Sequence, residues 1–106
     1  MVALFRYQSD DGREPFTEWL VGLRDKVAQA RIRIRLRNVE AGNLGDWDAA
    51  GGGVVELRVH VGAGCRVYCG RHGTALVILL CGGDKGTQAG DVRRARELWS
   101  DWKRRQ

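Results

Sequence analysis

Thirteen of the fifteen glycines in this 106-residue chain fall between Gly42 and Gly90. A glycine in a helix interior costs roughly 0.5–1 kcal/mol relative to alanine, so a middle this dense in glycine is expected to fold as strands and turns. The flanks are the reverse, rich in charge and helix formers, and supply the helices. The length fits one domain, residues 1–106, around a single core. With 43% apolar and 29% charged residues and no low-complexity tract, the composition is globular. The longest unbroken apolar run, Ala75 to Cys81, is far short of the roughly 20 residues of a membrane span, and the opening MVALFRYQ lacks the pattern of a signal peptide. The expectation is a cytoplasmic protein with no membrane contact.

Residues 2–8 contain β-formers and run into the turn signal Ser9-Asp10-Asp11-Gly12, which predicts a first strand. Glu14-Pro15 opens a helix, because proline suits the first helical turn, and Phe16, Trp19, Leu20 and Leu23 follow at helical spacing. From Asp25 to Gly42 the alternation Ile32-Arg33-Ile34-Arg35-Leu36-Arg37 imitates a strand. The segment is too long for one, however, and has an N-capping residue at one end and a C-capping type at the other, so it reads as a second helix. Two apolar stripes result, Ala28-Ile32-Leu36-Val39 and Val27-Ala30-Ile34, one of them for the sheet. Three strands are then expected at Val54–Val61, Cys65–Arg71 and Thr74–Cys81, joined by Gly62-Ala63-Gly64 and His72-Gly73 as an antiparallel meander. Gly82–Gly86 reads as a loop, and Val92, Ala95, Leu98, Trp99 and Trp102 stripe a last helix. The order β-α-α-β-β-β-α gives an α+β fold with a helical hairpin on a small antiparallel sheet.

Eighteen basic against thirteen acidic residues leave a net charge of +5, which favours a polyanionic or acidic partner. Cys65, Cys69 and Cys81 cannot all pair internally and lack zinc spacing, so they read as buried thiols, and no metal or other cofactor is expected. Period-two alternation puts Val55, Leu57, Val59 and Val61 on one sheet face with Cys65, Val67 and Cys69. Glu56, Arg58, His60, Arg66 and Tyr68 take the other, with Lys85 in the loop beyond. Cations around a shallow groove suit a phosphodiester, because they hold nonbridging oxygens and stabilise developing charge. The plainer reading of the same face is a solvated surface with scattered ion pairs. The arginines of the second helix and the basic residues of the last one read first as wet helix edges, with ribosomal RNA as the alternative contact. Trp99 and Trp102 share a helical face with Leu98 and read as core, or else as anchors for a partner.

The strings Gly53-Val54-Val55-Glu56-Leu57-Arg58, Gly64-Cys65-Arg66-Val67-Tyr68 and Leu79-Leu80-Cys81-Gly82-Gly83-Asp84-Lys85-Gly86-Thr87-Gln88 resemble the RelE/ParE superfamily of bacterial toxins, and more narrowly its HigB-like "addiction module killer protein" branch. Phe16, Trp19-Leu20, Leu23, Asp25, Arg35-Leu36 and Gly42-Asn43-Leu44-Gly45-Asp46 fit the same branch, so the likeness spans roughly residues 4–100. It implies a RelE-like fold and the toxin of a type II toxin–antitoxin system. It also implies metal-independent endoribonuclease cleavage of mRNA in the ribosome, in which the substrate 2′-hydroxyl attacks the adjacent phosphorus. By position Arg66 matches the family's phosphate-binding arginine, Lys85 a basic residue that stabilises the transition state, and Arg58 a strand position that is commonly basic. The candidate catalytic residues are thus Arg66, Lys85, Arg58 and Glu56, and the candidate substrate-binding residues His60, Tyr68 and Gln88.

Three positions depart from the pattern. Cys65 replaces an aromatic residue, Glu56 stands where ribosome-cleaving relatives often have lysine, and no tyrosine follows Lys85. Tyr68 reads as a structural part of its motif or as a substitute for that tyrosine. Glu56 reads as a general base or as a partner of Arg58. His60 is of the type that transfers protons near neutral pH, but no partner for it is visible. The implied partners are a helix-turn-helix antitoxin, the ribosome and mRNA, with DNA reached only through the antitoxin. The alternatives are a ParE-like toxin that poisons gyrase and cuts nothing, and a degenerate RNA-binding relative.

Overall fold

The computed structural model describes residues 1–106. The elements are β1 (Ala3–Arg6), α1 (Pro15–Gly22), α2 (Lys26–Glu40), β2 (Trp47–Gly51), β3 (Val54–Val59), β4 (Cys65–His72), β5 (Leu76–Asp84) and α3 (Gln88–Arg104), the last entered through a 3₁₀ turn at Lys85–Thr87. The fold is α+β, and no helix is long and apolar enough to cross a membrane. Five strands form one sheet in the order β1-β5-β4-β3-β2.

The sheet differs from expectation in two ways. It is mixed rather than antiparallel, because β1 lies parallel to β5, Ala3 against Leu76 through Arg6 against Leu79. Flanked by β1 and β4, β5 is an interior strand, which accounts for the apolar run on both of its faces. The second difference is β2, a strand that the pattern WDAAG conceals because it neither alternates nor favours β structure. It is an exposed edge held by its ladder to β3, Trp47 against Leu57 and Ala49 against Val55. The hairpin turns through Gly52 and Gly53 at φ of 64° and 86°, the left-handed geometry that two-residue hairpin loops require.

The boundaries also shift. β1 is shorter than residues 2–8, β3 stops at Val59, and β5 runs on through Gly82–Asp84, which the sequence assigns to a loop. Glycine is tolerated there by close packing, since a Cβ on Gly82 would overlap the Trp19 ring.

Asp25 caps α2, its Oδ1 accepting from the Val27 and Ala28 amides at 2.9 and 3.1 Å. The stripe Ala28-Ile32-Leu36-Val39 is buried, with Phe16 and Leu20 of α1, against Val55, Leu57, Val59, Val67 and Leu79. The second stripe faces solvent, Val27 at 61% and Ile34 at 50% exposure. A second core lies on the opposite sheet face, where Ala95 and Trp99 of α3 pack on Tyr68, Ile78, Leu80 and Cys81. That face is therefore not open along its length. α3 roofs one half, and the other half stays accessible.

Trp99 lies flat over Gly70, where any Cβ would run into the indole. Gly70→Ala is expected to cost about 1–3 kcal/mol through overpacking, checked by thermal unfolding. The three cysteines are free and buried. Burial pushes the Cys69 and Cys81 thiols up to about 12. Both should therefore stay protonated and unalkylated in native protein at pH 8 and react only on unfolding, measured by mass spectrometry of iodoacetamide-treated samples.

Candidate functional site

The β3–β4 hairpin sets Arg58 directly across from Arg66, and Glu56 across from Tyr68. The loop Gly62–Gly64 closes the hairpin, and its Gly64 carbonyl accepts from the Lys85 amide at 3.1 Å, which ties the 3₁₀ turn to the hairpin tip. Asp84 caps that turn by accepting from the Gly86 amide at 2.8 Å. The result is a cleft of about 380 Å³ lined by Arg58, His60, Arg66, Lys85 and the Gly62–Gly64 loop.

Placing these cations side by side is unfavourable unless anions hold them. Glu56, 3% exposed, lies between the two arginines. Its Oε1 accepts from Gln88 Nε2 at 2.9 Å and lies 3.9 Å from Arg66 Nη1, while Oε2 is 3.4 Å from Arg58 Nε. Both carboxylate oxygens are thus engaged. Arg58 also forks onto Asp46 and Asp48, each at 3.2 Å, and those bonds hold its guanidinium above the ordinary range.

Arg66 is mostly buried, with 12% of its side chain exposed, and its Nε and Nη1 have no hydrogen-bond partner. Those two nitrogens are buried on the Glu56 side, so an anion in the cleft can meet only the exposed remainder of the guanidinium. Lys85 is exposed.

The remaining sequence candidates are placed differently. Gln88 stands behind the cleft as the donor to Glu56. Tyr68 is fully buried in the α3-side core, and its hydroxyl makes no hydrogen bond. Burial, reinforced by the negative charge of Glu56, pushes its phenol well above the ordinary value. It does not line the cleft.

The sequence leaves Asp46 without a role. Asp46 Oδ2 is 2.6 Å from His60 Nε2, and its Oδ1 is 3.2 Å from Arg58 Nη1. The hydrogen bond to His60, with that to Arg58, holds the Asp46 carboxyl below the usual carboxylate range. The partner that His60 lacks in sequence is therefore present in space.

Arg35, which reads as a wet edge of α2, explains how Asp46 arrives there. Its Nη2 donates to the Asp46 carbonyl at 2.8 Å and its Nε to the Arg58 carbonyl at 3.1 Å. The guanidinium rests against Gly45, where a Cβ would collide with it. The signal was in the strings Arg35-Leu36 and Gly42-Asn43-Leu44-Gly45-Asp46, whose glycine and arginine fit one another only in three dimensions.

No family model matches the chain. Over 83 residues, 78% of this chain and 84% of the other, it is 43% identical to an uncharacterized protein of Haemophilus influenzae.

Proposed function

We propose that this chain, which belongs to one family with the uncharacterized Haemophilus influenzae protein, is the toxin of a type II toxin–antitoxin pair and an endoribonuclease that cuts mRNA on the ribosome. The observation that carries the reading is the cleft lined by the cations Arg58, Arg66 and Lys85 together with His60, with a buried glutamate behind it. The likeness of its motifs to the HigB-like branch of RelE toxins supports the same reading, as does the helical pair on one sheet face.

The scissile phosphate sits between Arg66 and Lys85, whose charges hold its nonbridging oxygens and stabilise the pentacoordinate transition state. Arg58, fixed by Asp46 and Asp48, orients the neighbouring backbone. The substrate supplies its own nucleophile, the 2′-hydroxyl. The nearby carboxylates Glu56, Asp46 and Asp48 are occupied with arginine, histidine and glutamine, so the mechanism draws on cations of the chain rather than on a bound metal.

The test is expression in a translating extract with mapping of mRNA 5′ ends. Ribosome-dependent cuts that persist in a chelator, with ribosomes shown to remain assembled, are the expected result. Intact mRNA with gyrase-dependent DNA breaks would replace this reading with the ParE-like one, and RNA binding without cutting would make the chain a degenerate relative.

A toxin of this kind acts in the cytoplasm and is silenced by a helix-turn-helix antitoxin that carries the DNA contact. Electrostatic steering toward a +5 protein should make association salt-sensitive, because exposed charges are screened beyond about 8 Å at physiological ionic strength. Trp99 is committed to the core, so Trp102, stacked on it at 5.0 Å and partly exposed, is the available aromatic anchor. Rate measurements at two salt concentrations should show association slowed by salt and dissociation nearly unchanged. Trp102→Ala should raise only the dissociation rate.

A further inference from the structure

We propose that His60 and Asp46 form the proton-transfer pair of the cleft, with His60 as the base that takes the 2′-hydroxyl proton and Asp46 as the residue that positions it. The inference rests on the endoribonuclease reading and names the group that reading leaves out.

A 2′-hydroxyl needs a base, and the usual candidates here are spent. Glu56 is buried with both oxygens engaged, and the Tyr68 hydroxyl is sealed in the core. His60 remains, 77% exposed and lining the cleft with Arg58, Arg66 and Lys85. A carboxylate only accepts hydrogen bonds, so the neutral imidazole meets Asp46 through Nε2–H, which leaves the Nδ1 lone pair free to take a proton.

Asp46 is held with more care than a surface carboxylate requires. Besides its bonds to His60 and Arg58, its carbonyl accepts from the Arg58 amide at 3.0 Å and from Arg35 Nη2 at 2.8 Å. Arg35 in turn lies against Gly45, where a Cβ would push its guanidinium aside. Three otherwise unrelated sequence features, an arginine on α2, a glycine and an aspartate, converge on presenting one carboxylate to one imidazole.

Electrostatics gives that carboxylate its purpose. The charged side chains lining the clefts beside His60 are Arg31 and Arg35 of α2, Arg58 of β3, Arg66 of β4, Lys85 of the 3₁₀ turn and Asp46 itself, with Asp48 and Glu56 paired to Arg58 and the Cys65 thiol raised by burial. Asp46, in direct contact, pairs with the imidazolium that the step forms. In the step itself the 2′-oxygen bonds to phosphorus while its proton passes to Nδ1. The bond from phosphorus to the 5′-oxygen breaks, and the leaving oxygen takes a proton from solvent. The products are a 2′,3′-cyclic phosphate and a 5′-hydroxyl, and the imidazolium returns its proton to solvent.

The experiment is single-turnover cleavage of mRNA in purified ribosomal complexes by wild type, His60→Ala, Asp46→Asn, Asp46→Glu, Lys85→Ala and the double variant His60→Ala/Asp46→Asn, each shown to be folded by its melting curve. His60→Ala should lower the maximal rate about 100-fold or more with little change in half-saturating concentration, and added imidazole should restore part of it. Asp46→Asn should lower the maximal rate about 10-fold, Asp46→Glu less, and the double variant should be no slower than His60→Ala alone. A folded His60→Ala that cuts at the wild-type rate, or that imidazole does not rescue, overturns the pair. So does full multiplication of the two single effects. If Lys85→Ala stops cutting while His60→Ala does not, only the pair is overturned. If wild type cuts nothing, the endoribonuclease reading falls and the pair with it.

Discussion

Lys85→Ala and Arg66→Ala should each slow mRNA cutting by about 100- to 1000-fold, the usual effect of removing a charge that contacts the transition state. The two variants differ in how cleanly they report it. Lys85 is exposed on the turn that leads into α3, and only its backbone amide is used in the fold, so its loss should leave the melting temperature nearly unchanged. Arg66 is mostly buried beside Glu56, and Arg66→Ala removes packed methylenes as well as charge. Arg66→Lys is the better control there. It keeps the charge and much of the stem but loses the planar fork, so a large fall in rate from Arg66→Lys would identify geometry rather than charge as what the phosphate needs. Single-turnover rates in ribosomal complexes decide the matter. Wild-type rates from both Lys85→Ala and Arg66→Ala would place the active site elsewhere on the molecule.

The elements legible in the sequence are those whose pattern is local. The α1 stripe, the Ala28-Ile32-Leu36-Val39 stripe of α2, the inward Val55-Leu57-Val59 and Cys65-Val67-Cys69 sets and the α3 stripe follow from side-chain periodicity and are buried or packed against the two cores, while the second α2 stripe is not. β2 was illegible because its residues do not make it a strand; its ladder to β3 and the Gly52-Gly53 turn do. The parallel pairing of β1 with β5 is likewise a property of two distant segments. In the site, period-two alternation places Glu56, Arg58, Arg66 and Tyr68 on the α3 side of the sheet. It says nothing about where on that side the roof of α3 ends. The outcome is that Tyr68 is sealed, Glu56 is buried but charge-paired, and the Arg58–Arg66 end is open. Asp46 is invisible to any strand or helix period because it sits in a loop, carried to His60 by Arg35 from another element.

Glu56→Ala should be among the most destabilising single changes in the molecule, by about 3–5 kcal/mol, because it leaves a buried cation without its counter-charge. The argument is one of position. Glu56 is 3% exposed, its nearest charges are Arg58 and Arg66, and Gln88 of α3 donates to it at 2.9 Å. Removing the carboxylate strands the Arg66 guanidinium, whose Nε and Nη1 already lack hydrogen-bond partners, and removes the Gln88 tie between α3 and the sheet. At roughly 4–8 °C per kcal/mol for a domain near 100 residues, the melting temperature should fall by well over 10 °C. Glu56→Gln, which keeps the shape and one acceptor, should fall less. The decisive variant is the pair Glu56→Leu/Arg66→Met, because replacing a buried ion pair with packed apolar side chains is often neutral or stabilising. That protein should regain most of the lost stability and cut no RNA, which would mean that the buried glutamate serves to hold an arginine in place at the cleft wall. A loss under about 1 kcal/mol for Glu56→Ala, the scale of an exposed ion pair, would show that water reaches Arg66 freely and that Glu56 does not hold it.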